Sequence, residues 1–372
     1  MKLTITAGAL KDALNTVAPA INVKHPVPAL TCVRIAGGNV VGNNNEIQIT
    51  APIGADFDGT LVVDFGRLLS LVKGIPATQE ITLEDGDRSA TLKFGRSKYQ
   101  LAKVAADDFP MMSPPIGESV EPCEGFLAAI AFADAHAGQY KSMPILEGVH
   151  ISGRRVTGTI GTKLGFIDLP DDTGLDLVLP PATVSAIRQI GKPDAIIAGE
   201  TMVEIRFGRA SILSRLMDGQ YPDVARLLTS TSATRFRVEI DADHLISILS
   251  RIAVGAGENS ATVVSDGSTM VVGAPSSDRS GICCEHVADG RLPEFAVTFD
   301  CHSLQSILDA HKGATKFTLH IPSDKNPAIV LTSDTSDTGA QSIAMMRNQP
   351  YVDFHKDVLS AFLGAASETE AA

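Results

Sequence analysis

The chain has 372 residues, enough for two or three domains, and 44% are hydrophobic, enough to fill real cores. Its net charge of −12 argues against a simple basic nucleic-acid binder, although a basic surface can sit on an acidic body because steering depends on the local field. The opening MKLTITAGAL lacks an apolar h-region and no apolar run reaches membrane-spanning length. The five cysteines (Cys32, Cys123, Cys283, Cys284, Cys301) show no CxxC spacing, so a cytoplasmic protein with no membrane contact, metal or cofactor is expected.

The first predicted elements are a short strand and a helix, ITAGALKDALNTVA from Ile5, with Leu10, Leu14 and Val17 on one face. EIQITA reads as a strand, and GTLVVDF as a strand that enters a second helix, DFGRLLSLVKGIP from Asp64. EITLED, SATLKF and YQLAKV alternate as half-buried antiparallel strands, separated by hairpin signals such as GGN, GNNN and EDGD. This stretch closes on Phe94-Gly95-Arg96, an apolar strand, and the pair Phe109-Pro110.

The same order then recurs. FLAAIAFADAHA from Phe126 is a looser copy of the first helix, and LDLVLP leads into the helix LPPATVSAIRQIGKP from Leu179. VEIRF and SILSRL are strands around a second FGR, Phe207-Gly208-Arg209, followed by Tyr221-Pro222. The two FGR tripeptides lie 113 residues apart and the two prolines 112. A third copy begins at IDADHLISILSRIA, where Leu245, Leu249 and Ile252 match Leu10, Leu14 and Val17 at a constant offset of 235. FAVTFD then enters the helix FDCHSLQSILDAHKG from Phe299. Each second helix ends with lysine beside glycine (Lys73-Gly74, Gly191-Lys192, Lys312-Gly313), a helix stop that also complements the helix dipole. Domain-sized repetition of this kind predicts an α+β protein of three pseudo-repeated domains, each with antiparallel sheets and two short helices. The boundaries fall at 1–118, 119–232 and 233–350, with 351–372 as a C-terminal extension.

VKHPVPAL, GRSKYQLAKVAADDFP, TIGTKLGF, SRLMDGQYPDVARLL and SIAMMRN, in that order and within a triplicate frame, resemble the bacterial sliding-clamp family, the β subunits of DNA polymerase III. The resemblance runs from Met1 to about Asn348. It implies the DNA clamp fold: a head-to-tail homodimer ring with helices lining a hole for duplex DNA, bound without regard to sequence. It also implies no catalysis. The implied partners are the DNA polymerase III α subunit, a clamp loader and other proteins bearing clamp-binding motifs.

The resemblance also distributes roles. A peptide-binding pocket matches Leu146, Thr159, Gly161, Thr162, Lys163, Leu164, Pro222, Arg226 and Leu227, with the late strand Ser342, Ile343, Ala344, Met345, Met346 and Arg347. Leu146, Leu164, Leu227, Ile343 and Met346 are expected as apolar walls, and Thr159, Arg226 and Arg347 as donors at the rim. DNA-facing candidates are Lys11, Lys24, Arg67, Lys73, Arg188, Lys192, Arg251 and Lys312, with Gln139, Tyr140 and Lys141 in a loop. Dispersed cations of this kind touch phosphates without reading bases. The dimer interface is expected to join Arg96, Lys98, Tyr99 and Leu101 to Val254 and Glu285 of a second copy.

Departures are local. TIGTKL stands where the family usually has TDGHRL, and Lys163 lacks the flat fork of the arginine it replaces. AMMRN stands for MPMRL. In the extension, Phe354, Val358, Leu359, Phe362 and Leu363 share one helical face, expected to pack on the outer surface near the pocket. An enzyme is the first rival reading, but the sequence has no HExxH, GxSxG or GxxxxGK[ST] motif. An accessory clamp paralogue, acting as an interaction scaffold or a drug-insensitive second copy, is the alternative within the family.

Overall fold

The computed structural model describes residues 2–55, 58–224, 234–255, 260–276, 281–311, 313–322, 328–334, 340–345, 358 and 360–362. The first copy runs β1 (Lys2–Thr6), α1 (Ala7–Val17), β2 (Cys32–Ala36), β3 (Asn39–Asn43), β4 (Ile47–Pro52), β5 (Thr60–Asp64), α2 (Phe65–Lys73), β6 (Glu80–Asp85), β7 (Ser89–Phe94) and β8 (Ser97–Val104). The second runs β9 (Ser119–Val120), α3 (Phe126–Asp134), β10 (Val149–Ser152), β11 (Arg155–Thr159), β12 (Lys163–Asp168), β13 (Asp176–Leu179), α4 (Pro181–Ile190), β14 (Ala195–Ala198), β15 (Met202–Phe207) and β16 (Ala210–Arg215). The third runs β17 (Thr234–Asp241), α5 (Ala242–Gly255), β18 (Ser260–Asp266), β19 (Thr269–Pro275), β20 (Ile282–Asp289), β21 (Glu294–Asp300), α6 (Cys301–Ala310), β22 (Lys316–Pro322), β23 (Ala328–Ser333) and β24 (Gln341–Met345). Among the described residues the order of eight strands and two helices is the same three times.

The chain packs as two compact units. The first comprises Met1–Leu127 and Asp171–Asp218; the second comprises Ala128–Pro170 and Gly219–Ala372. In the first, twelve strands form one sheet in the order β1-β6-β7-β8-β5-β2-β3-β4-β16-β15-β14-β9. Strands turn into helices in a single step because the last strand residue is the cap. The Thr6 hydroxyl accepts from the Ala9 N–H at 3.3 Å, and Asp64 accepts from the Arg67 N–H at 2.7 Å. Leu10, Leu14 and Val17 of α1 and Leu68 and Val72 of α2 are then fully buried. The FGR tripeptides are two-residue hairpin turns: Phe94 pairs with Ser97 and Phe207 with Ala210, with Gly95 and Gly208 at φ 52° and 58°. Their recurrence is turn chemistry.

Phe109 explains the aromatic–proline pair. It is buried against Cys32, Val41 and Val62. By strand alternation this face is opposite the one holding Val33, Val40, Leu61 and Val63. Asn43 Nδ2 donates to the Pro110 carbonyl at 2.9 Å, which fastens the linker to the sheet.

In the second unit, strands run β10-β11-β12-β24-β23-β22-β17 in one sheet and β20-β19-β18-β21 in another. Leu245, Ile248, Leu249 and Ile252 of α5 and Ile307 and Leu308 of α6 share one core with Phe299 and Phe317 from the two sheets. Tyr221 stacks on His150 of β10, with ring centroids 4.5 Å apart, so the second aromatic–proline pair also anchors on a strand face.

Copies meet through equivalent strands. In the first unit β4 pairs with β16, Ile49 opposite Ile212. In the second unit β12 pairs with β24, Leu164 opposite Ile343 and Gly165 opposite Ser342. β4 and β12 are the fourth strands of their copies in chain order, and β16 and β24 are the last. Val358 and Phe362 of the extension lie on the four-stranded sheet: Val358 is fully buried with Val264 and Val271, and Phe362 packs beside it. This corrects the expectation that the extension packs beside the pocket, because the candidate docking strand β24 belongs to the other sheet. Phe354, Leu359 and Leu363 lie outside the described residues.

Gly158 of β11 and Gly165 of β12 face each other across the ladder. A Cβ on Gly158 would sit 1.8 Å from the Ala133 carbonyl oxygen, and one on Gly165 2.3 Å from the His136 ring. The pair forms a slot in which the end of α3 rests directly on the sheet. Because the Gly158 obstacle is backbone, Gly158→Ala is expected to destabilise the chain by about 3 kcal/mol, the upper end of ordinary overpacking. Urea unfolding checks this, and an unchanged midpoint would mean that α3 does not rest there.

Candidate functional site

The docking candidates converge on the β11–β12 turn and on β24. The Thr159 hydroxyl donates to the Lys163 carbonyl at 2.7 Å and accepts from the Gly161 N–H at 3.1 Å. Its proton is therefore spent inside the turn rather than offered at a rim. Gly161 has φ 84°, a left-handed value that suits glycine, and its open side faces the Tyr140 ring. Leu146, Leu164 and Ile343 are buried to 2%, 2% and 0% exposure, so they form the floor beneath this region. Thr162 and Tyr140 are exposed and Pro222 is half-buried, so these supply its reachable surface. Gln139, Tyr140 and Lys141, grouped by sequence with the DNA-facing candidates, lie beside the β11–β12 turn: a Cβ on Gly161 would stand 3.9 Å from the Tyr140 ring and one on Gly138 2.8 Å from Ile160. Ala344 and Met345 continue the strand. Arg226, Leu227, Met346 and Arg347 lie outside the described residues.

Lys163 is buried. Its ammonium donates to the Ala135 carbonyl just past α3 at 2.6 Å and to Ser306 Oγ of α6 at 2.5 Å. Burial pulls its pKa below the usual lysine value, and Asp300 opposes that shift.

Two histidines missed by the sequence reading complete the joint. His136 Nδ1 is 2.8 Å from the Phe132 carbonyl and its Nε2 2.8 Å from Ser342 Oγ. His311 Nε2 is 2.9 Å from the same Ser342 Oγ, and its Nδ1 2.9 Å from Ser333 Oγ. The proton positions follow by elimination. A carbonyl only accepts, so His136 Nδ1 carries its proton and Nε2 accepts from the Ser342 hydroxyl. Ser342 Oγ can then only accept from His311, whose Nε2 carries the proton and whose Nδ1 accepts from Ser333. Burial pushes His136 down to about 3, helped by Lys163 and His311, and pushes His311 down to about 4. Both stay neutral, as the network requires. The signal in the sequence was the glycine pair of TGTIGTKLGF, which marks a close approach without naming what approaches.

The other candidates separate by position. Lys24, Arg67, Lys73, Arg188 and Lys192 are exposed, and Lys11 is half-buried. Arg67, Lys73 and Arg188 lie on α2 and α4, and α4 meets α1 where Gln189 Nε2 donates to the Asn15 carbonyl at 2.9 Å. Arg251 is engaged elsewhere: its Nε donates to Glu285 Oε1 at 2.8 Å, tying α5 to β20. Lys312 lies outside the described residues. Arg96 and Lys98 are exposed, Tyr99 is 41% exposed and Val254 87%, but Leu101 is fully buried. Leu101 therefore supports β8 from within, beneath its exposed neighbours Tyr99 and Gln100. No group of histidine, cysteine or acidic side chains suited to a metal occurs among the described residues, and no described helix is long and apolar enough to cross a membrane.

Residues 1–113 match the family model described as DNA polymerase III beta subunit, N-terminal domain. The chain is 25% identical over 287 residues to the beta sliding clamp of Synechococcus elongatus, covering 69% of this chain and 75% of that one. It is 25% identical over 319 residues to the beta sliding clamp of Staphylococcus epidermidis, covering 77% and 83%. A solved DnaN sliding clamp (DNA polymerase III subunit beta) from Bartonella birtlesii, bound to griselimycin, superposes with a TM-score of 0.85 at 16% identity, over 94% of this chain and 100% of that one. The chain is a distant relative of the β sliding clamps, similar to them over about 70% of its length. Its α+β architecture is the DNA clamp fold, and the family consists of non-catalytic processivity factors.

The neutral histidine pair gives the β12–β24 joint a pH dependence. An unfolded histidine takes up a proton near 6.5, whereas the folded pair holds out to about 3 and about 4. Their contribution is complete above 6.5 and is lost as the pH falls from there toward the folded values. Stability against urea should fall with acid, and in His311→Gln the slope near about pH 5 should be shallower by up to about one proton. An identical slope in the variant would place His311 in water.

Proposed function

We infer that the chain closes head-to-tail with a second copy into a ring around duplex DNA and tethers the replicative polymerase and other partners in the cytoplasm. The observation that carries this reading is the pair of strands left over. β4 meets β16 and β12 meets β24, but among the described residues the equivalent β20 ends its sheet, and residues 97–102 of β8 pair on one side only, with β7. An edge with unpaired N–H and C=O groups is a template for another strand. Pairing β8 with β20 of a second copy repeats the internal joint, and a heterologous contact that closes gives a ring.

Side chains at the two edges are complementary. Beside β8 lies a hollow of about 440 Å³ lined by Arg67, Ser70, Leu71, Tyr99 and Gln100. At the end of α5, next to β20, Val254 projects with 87% exposure and would be covered there. The exposed cations on α2, α4 and the loop at Lys24 supply dispersed phosphate contacts, so a topological link rather than tight binding keeps the ring on DNA. A clamp loader would open the ring, and the DNA polymerase III α subunit or other motif-bearing proteins would dock at the Tyr140–Thr162–Pro222 surface.

Retention on nicked circular DNA, with loss from the linearised molecule, is the expected outcome after loading. In the Lys24→Glu/Lys73→Glu/Lys192→Glu chain, each lost contact should flatten the log–log salt dependence by about one unit. Equal retention on circular and linear DNA would overturn the encircling role. For docking, Tyr140→Ser with Pro222→Ser should weaken a polymerase-derived clamp-binding peptide about tenfold in fluorescence anisotropy, from lost apolar burial. Unaltered affinity would move the docking site elsewhere.

A further inference from the structure

The first two copies share a feature in the segment after their last strand. After β8, Phe109 seals the face of the first copy's sheet formed by Cys32, Val41 and Val62. After β16, Tyr221 stacks on His150 of β10. The third copy has no aromatic–proline pair of the FP or YP kind after β24. Its sheet nevertheless presents an apolar outer face, made by Val264, Val271, Ile282 and Cys284. Val358 and Phe362 lie on that face.

The fit is specific. Val358 is fully buried, and Gly273 of β19 leaves the space it fills. A Cβ on Gly273 would stand 2.5 Å and 2.9 Å from the two Val358 methyl groups. The Phe362 ring stacks on His286 of β20, with centroids 5.9 Å apart. One short segment therefore spans β18, β19 and β20 and holds the edge strand to its sheet.

We propose that the C-terminal extension is a built-in brace for the ring-closing strand: Val358 and Phe362 hold β20 flat and in register for pairing with β8 of a second copy. This rests on the ring reading given above. An edge strand supported by one neighbour alone frays readily, and a frayed strand cannot template a partner. Packing both of its faces removes that freedom, with the α5 side already covered by the core.

The test uses full-length chains. Gly273→Ala should lower the urea midpoint and raise the dimer dissociation constant. Adding Val358→Ala should restore most of that loss, because the new methyl group then has room. The Cβ also comes within 3.1 Å of the Cys283 carbonyl, so the cycle rather than the single variant isolates the tail contact. Val358→Asp with Phe362→Asp should raise the dimer dissociation constant at least about tenfold, measured by sedimentation, with the circular dichroism of the fold retained. Equal losses from Gly273→Ala with and without Val358 would overturn the contact. A dimer constant within about twofold of wild type in the double aspartate chain would overturn the brace while leaving the ring intact. A wild-type chain that never dimerises would overturn the ring reading and the brace with it, and the urea cycle would still decide the contact.

Discussion

An antiparallel sheet is complete only when its edges are satisfied. Every edge strand presents backbone N–H and C=O groups that need partners or water. In this chain each copy repeats the same two four-stranded ladders, and each ladder has two edges. One kind of edge joins copies: β4 pairs with β16 and β12 with β24, while β1, β9, β13, β17 and β21 also end sheets. The copies need no dedicated interface residues for this, because backbone pairing is indifferent to side chains and the register is set by a few opposed apolar pairs such as Ile49–Ile212 and Leu164–Ile343. Three copies in one chain make two such joints and leave one strand of each kind over. The proposed dimer follows from that remainder.

The β12–β24 joint carries an additional burden, since it also forms the floor of the candidate docking surface. Close approach of α3 to the strands is permitted by two opposed glycines. The space at Gly158 is filled by the Ala133 backbone and that at Gly165 by His136, which with Ser342 and His311 makes a chain of hydrogen bonds in which every proton has an assigned acceptor. Buried polar groups of this kind are costly when unpaired and specify one geometry when paired. Lys163 adds a buried charge held by the carbonyl past the end of α3, where the helix dipole favours a cation. The segments that end α3 and α6 are thus tied to β24, the candidate docking strand, through Ser342.

Much of this was legible in the sequence. The triplicate order of strands and helices, the FGR turns and the aromatic–proline pairs are local features, and local chemistry fixes them: Gly95 and Gly208 supply the turn, while Phe109 and Tyr221 supply an anchor for the chain after the last strand. What escaped depends on partners far away in sequence. His136 and Ser342 are 206 residues apart, so neither carries a sign of the other. Thr159 read as a rim donor and Lys163 as a pocket residue because motifs report residue types and not burial, and both turned inward. Leu101 alternates as an edge residue should, yet its side chain belongs to the core. The extension displayed its apolar face but not its destination, because that was decided by a hole at Gly273 in a strand some eighty residues earlier.

The central claim is that β8 and β20 close a circle and nothing larger. Sedimentation equilibrium of the full-length chain across micromolar concentrations tests this most directly. Closure predicts a single species of two chains whose mass stops rising once it has formed. A chain that stays monomeric throughout, or an open-ended series of multimers, would contradict it, because β8 and β20 would then be either unpaired or joined without closing.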